Sequence, residues 1–141
     1  LRESLALFRK VAFSLLLLPF FIGGFAIAKE DPKKPGATEE DLFLYRAIGA
    51  TYICVAREAD IEFSKAAAIA AITYVNLLEG RHGARIKEIG DKKFSRKELI
   101  YGANNALLPA TVEFCPDKVP KETKKEVKKF LKELKKNNKK K

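Results

Sequence analysis

The sequence predicts an all-α domain, a small bundle of about four helices. Apolar residues recur at helical spacing in four separate stretches. Helix-start and helix-stop residues bracket those stretches. No stretch alternates apolar and polar residues for longer than a few positions, as a half-buried strand would.

The organisation begins with a leader. Residues 1–10 carry Arg2, Arg9 and Lys10 against Glu3, and an apolar run from 11 to 22 follows. Gly23, Gly24 and the small-residue pattern Ala26-Ile27-Ala28 come next. A positive n-region, an apolar h-region and an A-x-A site make a secretory signal peptide, with cleavage expected between Ala28 and Lys29. The alternative is an uncleaved anchor, for which 11–28 is short against the ~20 residues that span a bilayer. On this reading 1–28 is the signal peptide and 29–37 a flexible lead-in with two prolines. Residues 38–136 are the helical domain and 137–141 a frayed basic tail. Export leads to a periplasm, a thylakoid lumen or the medium.

Each helix has its signals. Thr38 before Glu39, Glu40 and Asp41 marks a start: the hydroxyl caps free N–H groups and the acids suit the positive helix end. That helix should run to about Arg57, with Leu42, Tyr45, Gly49, Tyr52 and Ala56 on one stripe, widened by Leu44, Ile48 and Val55. Gly49 permits close helix approach. After a short connection over 58–63, Ser64 opens an alanine-rich helix carrying Ile69, Ile72, Val75 and Leu78, which Gly80 or Gly83 stops. Ile86 and Ile89 are expected to dip into the core from a loop. Ser95 with Glu98 forms an S-x-x-E capping box before a third helix with Leu99, Ile100, Ala103, Leu107, Val112 and Phe114. Pro109 predicts a kink or break in it, and Pro116 its end. Val119-Pro120 opens the last helix, with proline in the first turn. Its stripe is Val127, Phe130, Leu131 and Leu134.

The two cysteines, Cys54 and Cys115, suggest a disulfide in an exported chain, tying the first helix to the end of the third. Two buried thiols are the alternative.

Charge is unevenly placed. The formal net charge is +10, but 29–120 holds fourteen basic and fourteen acidic residues. Residues 121–141 hold eleven lysines and three glutamates. The basic character therefore belongs to the last helix and tail, which weakens the case for a nucleic-acid-binding domain.

Catalytic constellations are thin. His82, the only histidine, stands at a helix C-terminus, where imidazole is favoured without any chemistry, as a surface or capping residue. One histidine and two cysteines do not supply a typical zinc site. Ser64 and Ser95 read as helix-start residues, not nucleophiles. The glycines do not match a phosphate-binding loop. Glu58, Asp60 and Glu62 lack the calcium-loop pattern and read as a solvated turn. No catalytic residue, metal or cofactor is expected.

The last helix is the candidate binding element, its basic face formed by Lys125, Lys128, Lys129, Lys132, Lys135 and Lys136. It docks its stripe on the bundle, lies on an anionic membrane, or offers lysines to an acidic protein or polyanion. Specific nucleic-acid recognition is disfavoured, since Phe130 is the one stacking residue there.

The runs YICVAREADIEFSKAAAIA and FSRKELIYGANNALLPATVEFCPDKVP, followed by a lysine-rich helix, resemble short secreted cyanobacterial proteins of unknown function. Some of these bear the name class-II cAMP phosphodiesterase, or metallo-β-lactamase-like. Such enzymes need an H-x-H-x-D-H metal cluster, and this sequence offers only His82. The resemblance implies an exported compartment and carries over no catalytic residue. The reading is a binding or structural accessory, with a phosphoester hydrolase or a membrane-surface protein as alternatives. A carrier of a small apolar ligand ranks lower, because alanine-rich packing leaves little room.

Overall fold

Three helix starts in this chain are set by side chains that accept free backbone N–H groups. In the computed structural model, which describes residues 34–139, four α-helices follow one another. They are α1 (Glu39–Glu58), α2 (Phe63–His82), α3 (Arg96–Phe114) and α4 (Lys121–Asn138). Two 3-10 turns, Lys87–Ile89 and Pro116–Lys118, lie in the connections, and no strand occurs among the described residues. The signal peptide, its Ala28/Lys29 cleavage site, residues 29–33 and residues 140–141 lie outside the described residues.

Both expected capping boxes are present. The Thr38 hydroxyl accepts the Asp41 N–H, and the Asp41 carboxylate accepts the Thr38 N–H. Ser95 and Glu98 exchange the same pair of bonds at α3. At α2 the expected start moves one residue earlier and the cap two. Glu62, not Ser64, is the cap, and its carboxylate accepts the N–H groups of Ser64 and Lys65. A longer acid reaches back over the first turn as a serine would, so the helix starts at Phe63. Gly83 ends α2 in the left-handed conformation (φ 57°), whereas Gly80 stays inside the helix. Pro109 does not break α3, which runs through to Phe114. Pro120 occupies the position before the first turn of α4, without a side-chain capping bond, rather than standing in that turn.

α1, α2 and α3 pack on one another, and α4 lies mainly on α3. The described residues belong to one compact unit. Its interior is built from Tyr45, Ile53, Tyr74, Val75, Leu78, Leu99 and Leu107 among many alanines. Gly49 lets α1 approach α3: a Cβ there would stand 2.5 Å from Leu107 Cδ2. Several residues expected in the core are exposed instead, namely Leu44, Ile48, Val55, Ile69, Ile72, Ile89, Ile100 and Phe114, while Ile86 is half-buried. The interhelical seams are lined by alanine and glycine, and the larger apolar residues stand outside them.

Cys54 of α1 and Cys115 at the end of α3 form a disulfide, with Cα atoms 5.9 Å apart. The closed loop, with a sequence separation of 61, stabilises the fold by about 4 kcal/mol in the chain-entropy model. Beside it, Lys118 Nζ bonds Glu58 at 2.9 Å, which raises the lysine's pKa.

Candidate functional site

The candidate site is the outer surface of α3 and α4. At about 100° per residue, Val127, Phe130, Leu131 and Leu134 share one face of α4. Lys124, Lys128, Lys132 and Lys135 fall on one flank of that face, and Glu122, Glu126 and Glu133 on the other. The helix is therefore split into a basic and an acidic side, which its overall lysine content conceals.

The apolar face is only partly covered by α3. Val127 is buried and Phe130 half-buried, but Leu131 and Leu134 remain 40% and 42% exposed. A depression of about 490 Å³ opens on the basic side, lined by Val112 of α3 and by Lys124, Val127, Lys128, Leu131, Lys132 and Lys135. On the acidic side a smaller one, about 150 Å³, lies between Asn104, Asn105, Leu108, Pro109, Glu126, Val127 and Phe130. The larger site has an apolar floor and an ammonium rim.

Of the six lysines expected on the basic face, Lys128, Lys132 and Lys135 are brought together at this depression. Lys125, Lys129 and Lys136 point along the back of the helix. Lys125 pairs with Glu122 at 2.9 Å. Lys128, Lys132 and Lys135 make no salt bridge among the described residues. Lys124, which the sequence reading left out, completes the rim and is anchored by a bond to the Pro116 carbonyl at 3.0 Å. Splitting lysines from glutamates on the helical wheel would have found it, because Lys124 lies one turn before Lys128.

His82 is not a surface residue. It is 6% exposed, and both ring nitrogens are engaged. Nδ1 lies 3.2 Å from the Pro35 carbonyl, which can only accept, so Nδ1 carries the proton. In the neutral ring Nε2 then accepts from the Tyr45 hydroxyl at 2.9 Å. Ala37 adds backbone bonds to Arg85 and Lys87, and Lys34 donates to the Gly80 carbonyl. The described part of the lead-in, 34–37, is thus held on the α2–α3 connection, with His82 as a fastening. No free imidazole lone pair faces a substrate.

The acids between α1 and α2 are also engaged. Glu62 caps α2, and hydrogen bonds from Ser64 lower its pKa. Glu58 pairs with Lys118. Among the described residues no group of three His, Cys, Asp or Glu side chains is placed to hold a metal, and no helix is long and apolar enough to cross a membrane.

A family model described as Domain of unknown function (DUF8650) matches residues 40–141, and the chain belongs to that family. No curated protein and no solved structure matches it.

Proposed function

We propose that this chain is a binding accessory whose α4, with the adjoining surface of α3, receives an acidic protein partner. One observation carries the reading. The ammonium groups of Lys128, Lys132 and Lys135 have no ion-pair partner among the described residues and rim a depression floored by Val112, Val127 and Leu131. Apolar floor with cationic rim suits a segment with an apolar stripe and carboxylates beside it.

A flat anionic membrane fits less well. A helix lying in the headgroup plane puts both of its flanks at the charged level. That would press Glu122, Glu126 and Glu133 against anionic lipid, while Val127 is already covered by α3. A protein partner can address the basic flank alone.

We place this activity in an exported compartment. The leader pattern at 1–28 and the joining of Cys54 to Cys115 support that, since cytosolic thiols are kept reduced. A native protein whose cysteines were reduced would refute it, and one whose intact mass retained 1–28 would make the leader an uncleaved anchor.

The binding test uses K128E/K132E/K135E in the full chain. The probe is an acidic helical peptide with a leucine stripe, and phosphatidylglycerol vesicles serve as the comparison. Wild type should bind the peptide, more weakly as salt shortens the screening length from ~10 Å at 0.1 M. The variant should lose at least about tenfold in affinity with its helical circular dichroism unchanged. Peptide binding that survives the swap and ignores salt refutes the reading, as does binding to vesicles alone.

A further inference from the structure

α3 carries three poor helix formers at one place. Asn104, Asn105 and Pro109 lie near its middle, and each disfavours a helix interior. All three line the smaller depression, on the acidic side of α4. The fold gains no bond from them. The carboxamides of Asn104 and Asn105 are half-buried, cap no helix and make no hydrogen bond among the described residues. Pro109 neither breaks nor ends α3. Local choices that oppose the fold without a structural gain mark the places where function is expected.

Pro109 also alters the backbone. It has no N–H for the Asn105 carbonyl one turn earlier, and its ring crowds that carbonyl. No side chain donates to the carbonyl in its place among the described residues. An unpaired backbone acceptor thus stands beside the two carboxamides. Glu126 lines the same depression from α4, and its carboxylate has no ion pair among the described residues.

The chemistry of these groups selects the ligand. The carboxamides donate and accept, whereas the carboxylate and the freed carbonyl only accept. The floor is apolar, formed by Leu108, Pro109, Val127 and Phe130. Calcium takes about six to eight oxygen ligands and would meet one carboxylate over an apolar floor. An anion would face Glu126 and the carbonyl. An alkylammonium would leave the carboxamide N–H groups unmet. Sugar hydroxyls both donate and accept, and the C–H face of a pyranose lies flat on apolar or aromatic surface. The volume agrees: at about 30 Å³ per water, 150 Å³ holds roughly five waters, the space of one sugar ring. Tyr101, 69% exposed and one turn before Asn105 on the same side of α3, offers an aromatic face for a neighbouring ring.

We propose that this depression is a site for an uncharged sugar, one pyranose unit of a glycan. Asn104 and Asn105 hold adjacent hydroxyls, Glu126 and the Asn105 carbonyl accept from others, and Phe130 lies under the C–H face. The site is small and open, so a single unit binds weakly, on the order of millimolar, and longer glycans bind better through Tyr101.

NMR titration of the full chain with the methyl glycosides of glucose, galactose, mannose and N-acetylglucosamine tests this. At least one should shift the side-chain amide signals of Asn104 and Asn105 saturably. N104A, N105A and E126A should each weaken that binding at least about fivefold. The asparagine changes favour helix, so circular dichroism should not fall. P109A separates binding from structure. It returns an N–H to the Asn105 carbonyl, so the Tm should rise while sugar affinity falls at least about twofold. K128E/K132E/K135E, on the basic flank, should bind sugar as wild type does. No saturable shift with any of the four glycosides, a shift that survives N104A and N105A, or a P109A that binds as tightly as wild type overturns the proposal. So does tighter binding of butylammonium or calcium at the same amides.

Discussion

Gly49 is the most exacting point in the packing. An added methyl would stand 2.5 Å from Leu107 Cδ2, and Leu107 is itself 1% exposed. Two terms of opposite sign act on Gly49→Ala. Helix propensity favours alanine over glycine by about 1 kcal/mol in a helix interior. Forcing a methyl into a filled seam costs about 1–3 kcal/mol. The contact is far shorter than van der Waals separation and Leu107 is buried, so its Cδ2 must shift against the surrounding core and steric cost should win. The net change is a loss of about 1 kcal/mol in urea unfolding, with an unchanged m value. Leu107→Ala alone should cost about 3 kcal/mol, as core leucine truncations do. In the Leu107→Ala background the sign of Gly49→Ala should reverse. The methyl then enters vacated space, keeps its propensity gain and buries about 0.8 kcal/mol of apolar surface. The coupling energy of the double-mutant cycle should be about 2–3 kcal/mol. If Gly49→Ala stabilises the wild type, or the cycle is additive within about 0.5 kcal/mol, the close approach of α1 and α3 is not where the structure puts it.

The lead-in and the α3 cap give two more tests. Tyr45→Phe removes the hydroxyl that donates to His82 and leaves a buried ring nitrogen unpaired, at a cost of about 1–2 kcal/mol. The amide of Lys87, which donates to Ala37, should then exchange faster, and unchanged exchange would show that the histidine does not hold the strap. Glu98 is the pH test: the N–H of Ser95 first, then Lys92 and the Ser95 hydroxyl, lower its carboxyl from the ordinary 4.5 to about 2. A depressed folded value means that the contribution is complete above pH about 4.5 and is lost as pH falls toward 2. Glu98→Gln keeps the cap without the titration, so its stability difference from wild type should shrink across that window. A Glu98 carboxyl that titrates near 4.5 by NMR would refute the assignment.

Fold class and helix ends were legible because they depend on local chemistry. Thr38 with Asp41, Ser95 with Glu98, and Gly83 each satisfy or release backbone groups within a turn of themselves. The misjudged end, at Ser64, failed for a related reason, since Glu62 does the same work with a longer side chain. The break expected at Pro109 does not occur: the proline costs one bond and a clash, whereas the α3 surface on both sides of it is committed to packing, with Leu107 and Ala110 buried. The disulfide was readable from the even cysteine count together with the export that the leader pattern predicts. The lysine rim was half readable: residue type named the helix, but only α3 decides which flank faces a depression, through Val112.

What periodicity could not supply was which apolar residues point inward. The interior is inverted relative to size. Gly49, Ala50, Ala56, Ala66, Ala70, Ala71, Ala103 and Ala110 line the seams, while Leu44, Ile48, Val55, Ile69 and Ile72 stand outside. A hydropathy stripe weights isoleucine above alanine and so places the large residues in the core. Close-packed helices reverse that choice, because axes drawn together by small side chains leave little volume between them for large ones. Three helices packed closely have few interior positions, and a handful of larger residues, among them Ile53, Val75, Leu78, Leu99 and Leu107, fill them. Further large apolar residues on the same helices can then only face outward. On α2 they are interrupted by Lys65, Thr73 and Asn76. On α1 Leu44, Ile48 and Val55 share a stripe with the polar Thr51, and Asp41 and Glu58 bound it at its two ends. The same packing that hides the core from a hydropathy reading thus leaves large apolar residues on the outer faces of α1 and α2.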